Sequence, residues 1–140
     1  MSYDRLSGHI PQKVAGLANL AFYFNLSNNL LHGPLPSALS KMTMLQALDI
    51  SANRLTGNIP STLSNCEALE YLNLSCNSLE GPIPISLDKL QNLQDMDFSS
   101  NNLVGGIPLS FDKLKMLKHL NFSFNNLSRE VPRKCIFQKY

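Results

Sequence analysis

The chain has 140 residues, 44% of them hydrophobic and 16% charged, and a formal charge of +2, which bounds it to about one domain with room for a continuous core. A balance this close to neutral gives no whole-chain argument for nucleic acid or an acidic membrane as partner. Basic residues gather toward the end, with seven Lys/Arg and one acid (Glu130) over 113–140 against five and nine over 1–112, and a solvated basic face is the plain reading of that asymmetry.

In chain order, Met1-Ser2-Tyr3-Asp4-Arg5 leads into no apolar h-region, so no export route is visible in the sequence as written. The most apolar run, Leu17 to Leu26, is about half the length of a membrane-spanning helix and contains Asn19 and Asn25. The chain is therefore expected not to be membrane-inserted as written. Asp4, Leu6, Gly8, Ile10 and Pro11 open a pattern that recurs 25 residues later, with one insertion between Gly16 and Phe24. From there the period is 24. Leu31, Leu55, Leu79, Leu103 and Leu127 form one column, and Asn29, Asn53, Asn77, Asn101 and Asn125 another. Pro36, Pro60, Pro84, Pro108 and Pro132 follow Leu35, Ile59, Ile83, Ile107 and Val131, while Gly33, Gly57, Gly81 and Gly105 give way to Arg129.

The copy from Leu69 to Pro84 reads L-x-x-L-x-L-S-x-N-x-L-x-G-x-I-P. Leu72 and Leu74 point to one side of a short strand, with Tyr71, Asn73 and Ser75 on the other. Stacked copies then make a parallel sheet with strands about 4.8 Å apart. The Asn column closes the turn after each strand, its amide and carbonyl satisfying backbone groups that no ladder reaches, so each deletion costs about 1–3 kcal/mol. Gly in the fourth column suits a tight turn or positive φ, and the residues after each Pro suffice for a 3₁₀ turn but not for a full helix. The expected fold is an α/β leucine-rich-repeat solenoid, a right-handed superhelix with a parallel β-sheet on its concave face and short 3₁₀ or irregular turns on its convex face. Residues 1–140 read as a single domain of about five repeats plus a partial first one, without caps, membrane helix or kinase domain.

This repeat resembles that of plant extracellular leucine-rich-repeat proteins, above all the ectodomains of receptor-like serine/threonine kinases, and the resemblance runs from Tyr3 to about Gln138. The stretch Leu120 to Pro132, followed by Ile136-Phe137, is similar to the last repeat of such ectodomains. The resemblance implies a cell-surface receptor on the extracellular side of the plasma membrane. It further implies a peptide, small-molecule or protein ligand on the concave face, and a co-receptor kinase near the C-terminal repeats, Leu114 to Val131. With several family parts missing, the chain reads as a fragment, a truncated gene product or a decayed paralogue. A soluble inhibitor or decoy and an intracellular interaction scaffold are the rival readings. Arg129 at the turn-Gly position costs about 1–2 kcal/mol if φ there must be positive, and Cys135 is a small residue in the Leu39/Leu63/Leu87/Phe111 column. An uncapped solenoid also exposes core at its ends, so the isolated chain is expected to be marginal and self-associating.

Candidate ligand-binding residues are the outward, variable positions of the strands: Tyr23, Tyr71, Asp95 and His119 in one column, Asn25, Asp49, Asn73, Asp97 and Asn121 in a second, Asn28, Cys76 and Phe124 in a third. Variable side chains on a regular scaffold are where solenoids place recognition, and aromatic ones dominate hot spots. The column Ser27, Ser51, Ser75, Ser99 and Ser123 is too uniform to encode specificity. Asp95 and His119 share a column, which invites a general acid–base pair. Yet no nucleophile elbow or enclosing pocket accompanies them, so surface charge is the preferred reading and no catalytic residue, cofactor or metal is expected. Sequons at Asn25, Asn73, Asn121 and Asn126 are possible glycosylation sites, although three arise from the repeat consensus itself. Cys66, Cys76 and Cys135 show no metal-ligand spacing.

Overall fold

The computed structural model describes residues 5–17 and 22–128. The expectations placed on Asp4, Asn19, Arg129, Val131, Pro132, Cys135 and Ile136-Phe137 lie outside the described residues. Five three-residue strands, β2 (Tyr23–Asn25), β4 (Ala47–Asp49), β6 (Tyr71–Asn73), β8 (Asp95–Asp97) and β10 (His119–Asn121), form one parallel sheet in the order β10-β8-β6-β4-β2. The register is in phase with the 24-residue period, as Tyr71↔Asp95 and Asp95↔His119 show.

A second set of strands comprises β1 (Ser7–Gly8) and one strand after each Asn of the ladder. β1, β3 (Leu30–Pro34) and β5 (Arg54–Thr56) make one parallel sheet, and β7 (Glu80–Pro82), β9 (Asn102–Gly105) and β11 (Asn126–Leu127) another. A single bridge, Asn58↔Glu80, links them. The turn glycines Gly33, Gly81 and Gly105 lie in these strands and Gly57 directly follows β5, with φ from 76° to 80°, a left-handed backbone that suits a residue without Cβ. 3₁₀ turns at Gln12–Leu17, Ser37–Lys41, Ser61–Asn65, Ile85–Lys89 and Leu109–Lys113 complete each coil. The described residues hold no α-helix, so 3₁₀ turns alone supply the helical part of this fold.

Each coil buries the same set of side chains, represented by Cys66, Leu69, Leu72, Leu74, Leu79, Ile83 and Leu87. A fully buried Leu contributes about 1.5–3 kcal/mol relative to exposure. Where the inner column carries aromatics, Phe98 and Phe122 meet edge to face, ring centroids 5.5 Å apart. Cys66 donates its thiol to the Leu39 carbonyl at 3.1 Å, and burial pushes its pKa up to about 11.

The Asn ladder ties each coil to its neighbour. Asn77 Oδ1 accepts the Leu55 amide at 3.0 Å, and its Nδ2 donates to the carbonyls of Ile50, Leu74 and Ser75. Asn53, Asn101 and Asn125 repeat the arrangement on their own neighbours. Asn29 does the same toward the first coil by accepting the Leu6 amide at 2.8 Å.

Candidate ligand-binding face

Two of the three variable columns lie on the sheet, and they differ in how free they are. Tyr23, Ala47, Tyr71, Asp95 and His119 run in register across the five strands. The second column is partly committed to the fold. Oδ1 of Asn25, Asp49, Asn73, Asp97 and Asn121 accepts the backbone N–H of the Ser two residues on, at 2.9–3.0 Å. At Ser51, Ser75, Ser99 and Ser123 the hydroxyl donates to that same oxygen at 2.6–2.7 Å. Such i→i+2 bonds stop the strand by offering the backbone an alternative to the ladder. Ser75 accordingly does not face outward beside Tyr71 and Asn73. It is buried, as are Ser27 and Ser99.

The third column is off the sheet altogether. Asn28, Ala52, Cys76, Ser100 and Phe124 all have φ between 54° and 58°, a left-handed turn that carries the chain away from the strand. Phe124 is 82% exposed there, and Cys76 is a free, exposed thiol. These residues belong to the rim of the face, whereas from the sequence they are expected among the outward positions of the strands.

The structure brings Tyr71, Asp95, Asp97, His119 and Asn121 together around an open groove of about 480 Å³, joined by Lys118. Tyr23, Asn25 and Asp49 lie at the other end of the sheet. Lys118 was not singled out from the sequence, although its column of Phe22, Gln46, Glu70, Gln94 and Lys118 is as variable as the others. That column forms a second rim, where the Tyr23 hydroxyl donates to Gln46 Oε1 and Gln94 Nε2 to Glu70 Oε1.

His119 Nδ1 and Asp95 Oδ1 are 2.5 Å apart, and the imidazole is 79% exposed. Of the hydroxyls lining the groove, Ser123 Oγ donates to Asn121 Oδ1 at 2.7 Å and the Tyr71 hydroxyl accepts from Asn73 Nδ2 at 3.2 Å. What the groove presents is a set of hydrogen-bonding and charged groups beside an aromatic ring. Among the described residues no group of three His, Cys, Asp or Glu is arranged to hold a metal ion, and no helix is long and apolar enough to cross a membrane. Of the four sequons, Asn25, Asn73 and Asn121 are on the concave sheet, while Asn126 is exposed on β11 of the outer sheet.

The family model described as leucine rich repeat matches residues 44–103 and 68–127, and a second model of the same description matches 22–42. No curated protein sequence matches. Among solved structures, the plant peptide hormone receptor RGFR1, in complex with RGF2, is 38% identical with a TM-score of 0.88 over 91% of this chain. The Arabidopsis receptor kinase HAESA, in complex with the peptide hormone IDA and the co-receptor SERK1, is 39% identical with a TM-score of 0.89 over 94%. The chain spans 20% and 22% of those two. It covers 69% of a chain in the Arabidopsis thaliana BIR3–SERK2 complex, at 35% identity and a TM-score of 0.79.

Proposed function

Because the chain belongs to the leucine-rich-repeat family, we propose that it is a ligand-recognition segment of a receptor-kinase ectodomain, without catalysis of its own, working on the extracellular side of the plasma membrane. The observation that carries this reading is the contrast between columns. Asn, Gly, Pro and Leu positions repeat with little change, whereas Tyr23, Ala47, Tyr71, Asp95 and His119 differ from one another on adjacent strands. Five strands at about 4.8 Å spacing span about 19 Å, the length of about six extended residues. A peptide laid across the strands therefore meets one variable side chain per strand.

A second site is favoured by Phe124, whose exposed ring stands at the rim in a left-handed backbone. Aromatic side chains dominate interface hot spots, and a partner ectodomain docking on this edge near the C-terminal repeats is the occupant we propose. The concave-face assignment is tested by panning a random heptapeptide display library against the full chain. Enriched peptides are expected to lose about 30-fold or more in affinity when Tyr71, Asp97 and His119 are replaced together, the loss expected of hot-spot residues, with the melting temperature held as a control. Peptides that bind the triple variant equally well, or a library that yields none, would sink the assignment.

A further inference from the structure

Asp95 and Asp97 are two residues apart on β8, so both side chains rise from the concave side of the sheet, and both line the groove. Each uses one oxygen within the protein. Asp95 Oδ1 meets His119 Nδ1, and Asp97 Oδ1 takes the amide and hydroxyl of Ser99. The second oxygen of each has no partner among the described residues. One strand away, Tyr71 stands beside Asp95 and Asn73 beside Asp97. The Tyr71 hydroxyl accepts from Asn73 Nδ2 at 3.2 Å, which runs the side chain along β6, beside the stretch of β8 that carries the two carboxylates. An aromatic ring and two carboxylate oxygens free to accept thus border one groove, on neighbouring strands about 4.8 Å apart.

We propose that this half of the groove seats an arginine side chain of a peptide ligand, between the Tyr71 ring and the outer oxygens of Asp95 and Asp97. This rests on the concave face being a peptide-binding surface and names what that surface selects. The planar guanidinium offers five donors in a fork that suits paired carboxylate acceptors. Charge-assisted bonds are about twice as strong as neutral ones, and the ring quadrupole adds attraction for a cation above its face. Lys118 and His119 lie one strand further, so the groove changes from acidic and aromatic to basic along its length. A ligand reads in one direction, with its cation over β6–β8 and an acceptor group over β10. A divalent metal is the poorer occupant, since calcium takes six to eight oxygens and the described residues assemble no three-ligand cluster.

The test is an NMR titration of the ¹⁵N-labelled full chain with Nα-acetyl-arginine amide, its neutral isostere Nα-acetyl-citrulline amide, Nα-acetyl-glutamate amide, and calcium chloride. Arginine amide is expected to shift the amides of 71–73 and 95–99 saturably, citrulline amide to bind about tenfold more weakly, in line with loss of charge-assisted bonding, and added salt to narrow the gap. Asp95→Asn together with Asp97→Asn should bring arginine down to the citrulline level. This variant is expected to fold, because Asn25, Asn73 and Asn121 already hold the place of Asp97 on other strands. Equal binding of citrulline, preference for glutamate or calcium, unchanged binding to the double variant, or no shift in these strands each overturns the proposal. If library peptides bind the groove without a basic residue, the cation site falls while peptide recognition stands. If arginine amide binds but no peptide is ever enriched, peptide recognition falls instead.

Discussion

Replacing Asn77 by Ala removes four hydrogen bonds at once, yet the cost is smaller than four broken bonds suggest. The three carbonyls it serves each retain another donor: Ile50 keeps Asn53 Nδ2, Leu74 keeps Asn101 Nδ2, and Ser75 keeps the Ala52 amide. The Leu55 amide is different, because it gives its hydrogen to Asn77 Oδ1 on a residue that is fully buried. One orphaned donor costs about 1–3 kcal/mol, and the net worth of the shared amide bonds adds about 1 more, for a total of about 2–4 kcal/mol. That is a large part of the roughly 5–15 kcal/mol that holds a typical domain together. Urea unfolding followed by circular dichroism reads the loss as a lower midpoint at constant slope. Hydrogen exchange supplies the local signature, with the Leu55 amide losing more protection than the global loss accounts for. If the variant lost under about 1 kcal/mol, or if Leu55 exchanged no faster than its neighbours, the account of the ladder would be wrong.

Four further outcomes follow from the geometry. Gly81→Ala and Gly105→Ala both force a Cβ into a left-handed backbone at about 1–2 kcal/mol. The former also drives that Cβ to 2.5 Å from Asn58 Oδ1 while the latter meets nothing within 4 Å, so Gly81→Ala should melt lower, and equal melting would refute the contact. At pH 8 iodoacetamide should label Cys76 and spare Cys66, read by peptide mass mapping. Because the folded Cys66 thiol sits near 11 against an ordinary 9.0, the native state holds its proton longer and stability should fall as pH rises between those values. Phe124→Asn should raise stability by about 0.5–1 kcal/mol by relieving the left-handed strain at a φ that Asn tolerates; a loss would show that the ring packs.

The 24-residue period made the inner sheet and the ladder legible, because Leu72, Leu74 and Asn77 have one good arrangement when the coil is stacked. The outer sheet escaped notice for a physical reason. Strands such as Glu80–Pro82 and Leu30–Pro34 contain Gly and Pro, which weigh against a strand when residues are read singly, and here pairing is set by the stacking of coils. Alternation failed at Ser75, which is buried, and Cys76 stands at the rim where a place on the strand was expected. The Ser two residues after an Asn or Asp was a readable signal for the bond that ends the strand. The left-handed residue after it left no signal, because the column holds Asn, Ala, Cys, Ser and Phe and never Gly. At the site, Tyr71, Asp95 and His119 were legible as neighbours from the period alone. Lys118 was missed because it precedes the strand, where alternation says nothing about which way a side chain turns.

The ladder has a polarity. Each Asn spends its oxygen, and one bond from its amide, on the coil before it: Asn77 on Leu55 and Ile50, Asn101 on Leu79 and Leu74, Asn125 on Leu103 and Phe98. A coil is thus completed by its successor and owes nothing in this respect to its predecessor. Peeling away the following turn strips a buried amide of its acceptor, whereas peeling away the preceding one frees a side chain that water can satisfy. Pulled from its two ends, such an array resists unequally, like a zipper whose teeth all lean one way.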